Sequence, residues 1–166
     1  GKLIADGAFE NIWVQPAAGD AGGALGAALA YWYLELGGER VQAHAMRHAY
    51  LGPGYSSSEI ETALDAAGAH YELVSDDLVA DRTAQALEAG LAVGWFQGRS
   101  EFGPRALGNR SILADPRDPD MQRRLNLKIK FRESFRPFAP AVLAEDASDW
   151  FDLAHESPFM LVTAPV

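Results

Sequence analysis

The chain has 166 residues, enough for one ordinary domain with a sizeable core or for pieces of two. With 48% hydrophobic and 22% charged residues it is neither disordered nor fibrous, and the absence of cysteine excludes a disulfide framework, a thiol nucleophile and a cysteine metal cluster. The net charge is -9, yet ten of the fourteen basic residues fall between Arg99 and Arg136, a window of net +5 against -14 elsewhere; this argues against a general nucleic-acid surface and leaves a small anionic ligand.

Taken in order, GKLIADGAFENIW has neither the basic lead nor the long apolar segment of a signal peptide, and no apolar run approaches the roughly 20 residues that cross a bilayer. The expected location is the cytoplasm. Ile12 to Gln15 reads as a short strand closed by Pro16. Asp20 is placed to cap a helix starting close behind it, in which Leu25, Leu29, Trp32, Tyr33 and Leu36 recur as one apolar face before Gly37 and Gly38 end it. Glycine costs a helix interior roughly 1 kcal/mol relative to alanine. Gly22, Gly23 and Gly26 therefore mark either tight helix packing or a close backbone approach to another element or a ligand.

Residues 41–58 are poor in periodicity and contain Gly52, Pro53 and Gly54, which places a linker there and divides the chain into segments 1–54 and 55–166. Ser56 to Glu59 offers caps for a helix through Ala67, with Ile60 and Leu64 inward and Gly68 beyond its end. His70 to Val74 reads as a strand, Leu78 to Glu88 as a helix ended by Gly90, and Leu91 to Phe96 as a largely buried strand.

The basic segment then supplies a strand at Ser111 to Ala114, stopped by Asp115-Pro116. Asp118 caps, and Pro119 opens, a helix to about Leu127, with Met121 and Leu125 inward and Arg123 and Arg124 on another face. Phe138 to Leu143 reads as a returning strand. Short strands alternating with helices predict a mixed α/β (α+β) fold with the strand order open. The apolar run FMLVTAPV looks interrupted at Val166, so the chain reads as a fragment.

A phosphate or mixed anhydride needs convergent donors, and guanidinium forks provide bidentate geometry. Arg99, Arg105, Arg110, Arg132 and Arg136 lie near predicted strand ends and loops, where separate turns converge, while Asn109 and Ser111 add neutral hydrogen bonds. Lys130, between Ile129 and Phe131, is expected in a partly apolar wall where its charge would act strongly on a transferring phosphoryl or carbamoyl group. Any one of these basic residues taken singly reads first as a solvated surface group; the cluster is what points to a pocket. Neither the phosphate-loop pattern GxxxxGK[ST] nor the dinucleotide fingerprint GxGxxG occurs. His44 and His48 could share a helical face, but no third ligand has convincing spacing, so packing or exposure is the preferred reading, and His70 and His155 are no stronger. Asp20 is either a helix cap or a carboxylate facing a metal-nucleotide site.

FENIWVQPAAGDAGGALGAALA together with GWFQGRSEFGPRALGNRSILADPRDPDMQRRLNLKIKFRESFRPFAPAVL closely resembles the C-terminal region of the carbamoyltransferases that modify antibiotics and nodulation factors, over most of residues 9–145. The resemblance implies two catalytic units. One is an ASKHA-type ATP-binding domain like that of a universal tRNA-modification protein, of which residues 1–54 would be a terminal strand-helix remnant and linker. The other is a YrdC-like domain, incomplete in 55–166, that makes carbamoyl-adenylate from carbamoyl phosphate and ATP with magnesium. The first then passes the carbamoyl group to a hydroxyl of a small-molecule acceptor, with a divalent metal such as iron in the parent transfer domain.

By position in the motifs, Arg105 of GPRALGNR, Lys130 of KFR and Arg136 of FRPFAP match the residues that bind carbamoyl phosphate and the adenylate, and Asp20 of GDAGG matches the aspartate at the metal and nucleotide site. Arg110, Asn109, Ser111 and Arg132 are further candidates from their placement near strand ends and loops. The family's upstream histidine metal ligands, most of its ATP-binding domain and the distal contacts of its YrdC-like domain are missing, and His44 and His48 do not replace them. The expectation is a parent enzyme whose N-terminal catalytic domain is needed for transfer, with a homodimer open to the truncated piece. The alternatives are a noncatalytic anion-binding or structural module and an RNA-associated carbamoylation factor; the acidic remainder argues against broad nucleic-acid contact.

Overall fold

The computed structural model describes residues 2–10, 12–40, 46–153 and 156–166. His44 and His155 lie outside the described residues, so the readings placed on them are not taken further. The backbone groups into two compact units, one of Gly1–Gly52, Ser100–Leu107 and Val142–Val166, the other of Pro53–Arg99 and Gly108–Ala141.

In the first unit, α1 (Lys2–Ala5) is followed by α2 (Asp20–Ala30), which runs into a wider π turn at Tyr31–Glu35. Gly37 ends it with φ +63°, where an L side chain would be strained. The predicted cap is corrected: Gly19 holds the cap position without a side-chain bond, and Asp20 is the first helical residue. It lies in the first turn, near the positive end of the helix dipole, a favourable place for a carboxylate that needs no capping geometry. Among the three helix glycines only Gly22 is in close approach, because a Cβ on it would collide with the carbonyl oxygen of Ala17; Gly23 and Gly26 face open space. The expected apolar face is largely exposed, with Leu29, Trp32 and Leu36 on the surface. A 3-10 turn (Ala144–Asp146) leads into α6 (Ala147–Trp150), the last helix in chain order.

The second unit holds α3 (Ser57–Ala66), α4 (Asp76–Glu88), β1 (Val93–Phe96), β2 (Arg110–Leu113) and α5 (Met121–Arg124), which continues into a π turn at Leu125–Ile129. Ser56 closes a capping box with Glu59: its hydroxyl accepts from the Glu59 N–H, and the Glu59 carboxylate accepts from the Ser56 N–H. Strands β1 and β2 pair antiparallel in the register Val93 with Leu113 through Phe96 with Arg110. Met121 and Leu125 are buried as their spacing predicts, and Asn126 beside them is fully buried.

The mixed α/β class stands, with helices dominant and one two-stranded sheet among the described residues. The strands expected at Ile12–Gln15, His70–Val74 and Phe138–Leu143 are irregular backbone instead. Their residues suit strands, but a strand exists only where a neighbour accepts and donates its ladder bonds, and none of the three has one among the described residues. The helix predicted from Asp118 starts later, at Met121, because Asp118 uses its carboxylate to accept from the Asp120 N–H and shapes a turn first.

Candidate functional site

Arg105 belongs to the first unit and Lys130, Arg132, Arg136, Arg110, Asn109 and Ser111 to the second. The turn that carries Arg105 is tied down at both ends. The Gly52 N–H donates to the Ser100 carbonyl over 2.9 Å, the Tyr50 hydroxyl donates to the Leu107 carbonyl over 2.8 Å, and the Leu107 N–H donates to Glu101 Oε1 over 2.8 Å. Gly103 is required within it: φ is +112° and an added Cβ would lie 2.7 Å from the Ala17 Cβ. Arg105 itself is exposed and lines a concavity of about 270 Å³ with Pro16, Gly19, Phe102, Phe159 and Met160. Among the described residues it is the sole charged one in that lining, and Asp20 is not part of it.

In the second unit the hairpin end is held by three of the predicted site residues. Arg110 donates through Nη1 to the Gln97 and Asn109 carbonyls, at 2.6 and 2.9 Å, and through Nη2 to the Gly98 carbonyl at 3.1 Å. Buried Asn109 donates to the Arg99 carbonyl over 2.7 Å, and Ser111 Oγ accepts from the Gly108 N–H over 3.0 Å. These side chains are turned onto backbone and shape the loop. Arg124 is similarly engaged, donating to Asp118 Oδ2 at 2.8 Å and to the Gly90 carbonyl at 2.9 Å. Arg117 lies against Asp115 and, by hydrogen bonds from its guanidinium and then its backbone N–H, holds that carboxyl below the ordinary aspartate range.

The segment after α5 is built differently. The π turn ends with the Lys130 N–H donating to the Leu125 carbonyl, five residues back, and Phe131 follows in the left-handed region at φ +49°. The chain is then folded back by two side chains four residues apart on one helix face. Asn126 Nδ2 donates to the carbonyls of Ser134 and Arg136, at 3.2 and 2.8 Å, while its Oδ1 accepts from Arg132 Nε at 2.6 Å. Gln122 Nε2 donates to the Phe135 and Arg136 carbonyls at 3.3 and 3.1 Å. Arg132 is also placed 4.8 Å from the Phe138 ring centroid, a cation–π distance.

Lys130 ends this arrangement exposed, with no ion pair among the described residues, and Arg136 is 3.8 Å from Glu133 at the outer edge of pairing. The apolar wall expected around Lys130 is not formed within this unit: Ile129, at the end of the π turn, and Phe131, in the left-handed region, are both exposed. Asn126 is the residue that the sequence reading passed over. Its signal was available: an amide directly beside the inward Leu125, spaced four from Gln122.

For a metal, Asp20 offers one carboxylate. No group of three His, Asp or Glu among the described residues is arranged to hold an ion, and exposed His48 stacks on Tyr50 with ring centroids 5.5 Å apart. No described helix is long and apolar enough to cross a membrane.

Residues 84–166 match the family model of the carbamoyltransferase C-terminus, and residues 1–29 match that of the carbamoyltransferase N-terminus. Over 100% of its length the chain is 55% identical to an uncharacterized protein of Synechocystis, covering 28% of that protein, and 50% identical to the nodulation protein NolNO of Sinorhizobium fredii, covering 25%. Over 93% of its length it is 37% identical to the 3'-hydroxymethylcephem-O-carbamoyltransferase of Streptomyces clavuligerus, covering 27%. The chain thus spans between a quarter and three tenths of the length of these relatives. With both family models matched, and that of the C-terminus enclosing the basic hairpin and the Asn126 loop, the chain belongs to the carbamoyltransferase family.

Proposed function

We propose that this chain is part of an enzyme that carries a carbamoyl group from carbamoyl phosphate, through a carbamoyl-adenylate made with magnesium-bound ATP, to a hydroxyl of a small-molecule acceptor. The observation that carries this reading is the exposed pair Lys130 and Arg136 on a loop anchored by a fully buried amide, inside the matched stretch. A cation held by a preorganised loop stabilises developing charge without reorganising during the reaction. Lys130 and Arg136 in the second unit, and Arg105 in the first, are the proposed electrostatic residues for the phosphate-bearing substrates. Arg132 supports the loop, and Asn109, Arg110 and Ser111 shape the neighbouring hairpin.

The atoms balance with one water: carbamoyl phosphate is cleaved to carbamate and phosphate, the carbamate oxygen attacks the α-phosphorus of ATP, and pyrophosphate leaves. The acceptor hydroxyl then attacks the carbamoyl carbon and AMP departs. On this reading residues 55–166 belong to a YrdC-like unit and 1–54 to the end of an ASKHA-type domain, whose remaining part is the proposed intramolecular partner. A divalent ion in that domain would polarise bound oxygen; Asp20 contributes a single carboxylate toward it, and the described residues do not complete the site.

Isothermal titration of the chain with carbamoyl phosphate tests the proposal. Binding that falls in Lys130→Ala and Arg105→Ala is expected, and unchanged affinity in both variants overturns the assignment of these cations to phosphate binding. A second reading, a structural module without catalysis, is favoured by the turning of Arg110 and Arg124 onto backbone carbonyls. Pyrophosphate release from ATP that depends on carbamoyl phosphate separates the two.

A further inference from the structure

We infer that Asn126 is the positioning residue of the basic loop, setting where Lys130 and Arg136 stand; the inference rests on the phosphate-binding reading above. Asn126 is the one fully buried large side chain among the described residues, and it is polar. Burying an amide is unfavourable unless its bonds are made, and here both its donors and its acceptor are committed to one seven-residue loop, 130–136.

The geometry goes beyond packing. Nδ2 grips the carbonyls of Ser134 and Arg136, Oδ1 takes Nε of Arg132, and the Asn126 carbonyl accepts the Arg132 N–H over 2.9 Å. The loop is thereby fixed at its middle and its far end, while its near end is fixed by the Lys130 N–H on Leu125. The two exposed cations are consequently attached to the two immobilised ends. An apolar residue of equal volume would fill the space, release the Ser134 carbonyl and Arg132 Nε from this side chain and leave the Arg136 carbonyl to Gln122 alone, so filling the core does not explain an amide at this place. Gln122 grips the same Arg136 carbonyl from the solvent side, which gives the same anchor a second, exposed component.

The test is titration of the intact chain with carbamoyl phosphate, comparing wild type, Asn126→Asp, Asn126→Leu, Gln122→Ala and Lys130→Ala, with circular dichroism of each. The Asn126 variants are expected to bind roughly tenfold more weakly, and Gln122→Ala about threefold, as lost hydrogen bonds release the loop. In 15N spectra the Arg132 Nε–H, protected in wild type, should exchange rapidly in Asn126→Leu and remain protected in Asn126→Asp, a readout that does not depend on ligand. Loss of binding in Lys130→Ala with wild-type affinity in Asn126→Asp and Gln122→Ala overturns the positioning role alone. Wild-type affinity in Lys130→Ala overturns the phosphate role of this loop and the inference with it. Should both Asn126 variants unfold, Gln122→Ala decides, because its exposed side chain leaves the core closed.

Discussion

The guanidinium carbon of Arg110 lies 3.4 Å from the centroid of the Phe96 ring, directly across the β1–β2 ladder, while its nitrogens donate to the carbonyls of Gln97 and Gly98. Tyr55 stacks on the same Phe96 with centroids 6.4 Å apart. A sheet of only two strands is marginal, so its open end depends on such cross-strand contacts.

Replacing Arg110 by lysine should therefore fail as a conservative change, because a point charge reproduces neither the planar contact nor the fork of donors. Arg110→Lys and Arg110→Ala are each expected to lower stability by about 1–2 kcal/mol in urea titration. A double-mutant cycle with Phe96→Leu should show coupling of about 0.5–1 kcal/mol. Additive effects of the two substitutions would show that the stacking carries no energy.

The capping box at Ser56 and Glu59 gives α3 a pH dependence. Backbone and side-chain hydrogen bonds from Ser56 hold the Glu59 carboxyl below the ordinary glutamate range. Since its folded value lies beneath the unfolded one, the stabilisation is complete above the unfolded value and disappears as pH falls through the folded one. Glu72, paired with Arg82, and Asp115, paired with Arg117, act in the same direction. Melting temperature followed by circular dichroism should fall on acidification below the ordinary carboxylate range, and Glu59→Gln should reduce that slope. Ser56→Ala should cost about 1 kcal/mol at neutral pH, and a variant as stable as wild type would remove the cap from the account.

Phe131 takes the left-handed conformation that usually belongs to glycine at a helix end, while 84% of its surface remains exposed. Little packing offsets the strain, so Phe131→Gly should stabilise by about 1 kcal/mol relative to Phe131→Ala, which keeps the strained backbone. Urea midpoints of the two variants provide the comparison. A Gly variant no more stable than the Ala variant would show that the loop relaxes freely. Strain of this kind, next to Lys130, fits a place where function has set the backbone.

Much of this protein was legible along the chain because its determinants are local. The Ser56 cap, the helices near 57–66 and 76–88, the inward Met121 and Leu125, and the two short strands near 93–96 and 110–113, though not their pairing, all rest on neighbours a few residues apart. The basic segment and the family motifs are likewise properties of order and composition. Tertiary structure alone decided that Ile12–Gln15, His70–Val74 and Phe138–Leu143 lack a pairing strand, that Gly19 rather than Asp20 holds the cap position of α2, that Arg110 is engaged by its own hairpin, and that Asn126 gathers the loop from Lys130 to Arg136. The physical reason is common to all four. Apolar periodicity and charge count state what a residue prefers, whereas a hydrogen bond or a ladder is made only when the fold brings a partner to within about 3 Å, and that partner's position is not written at the residue itself.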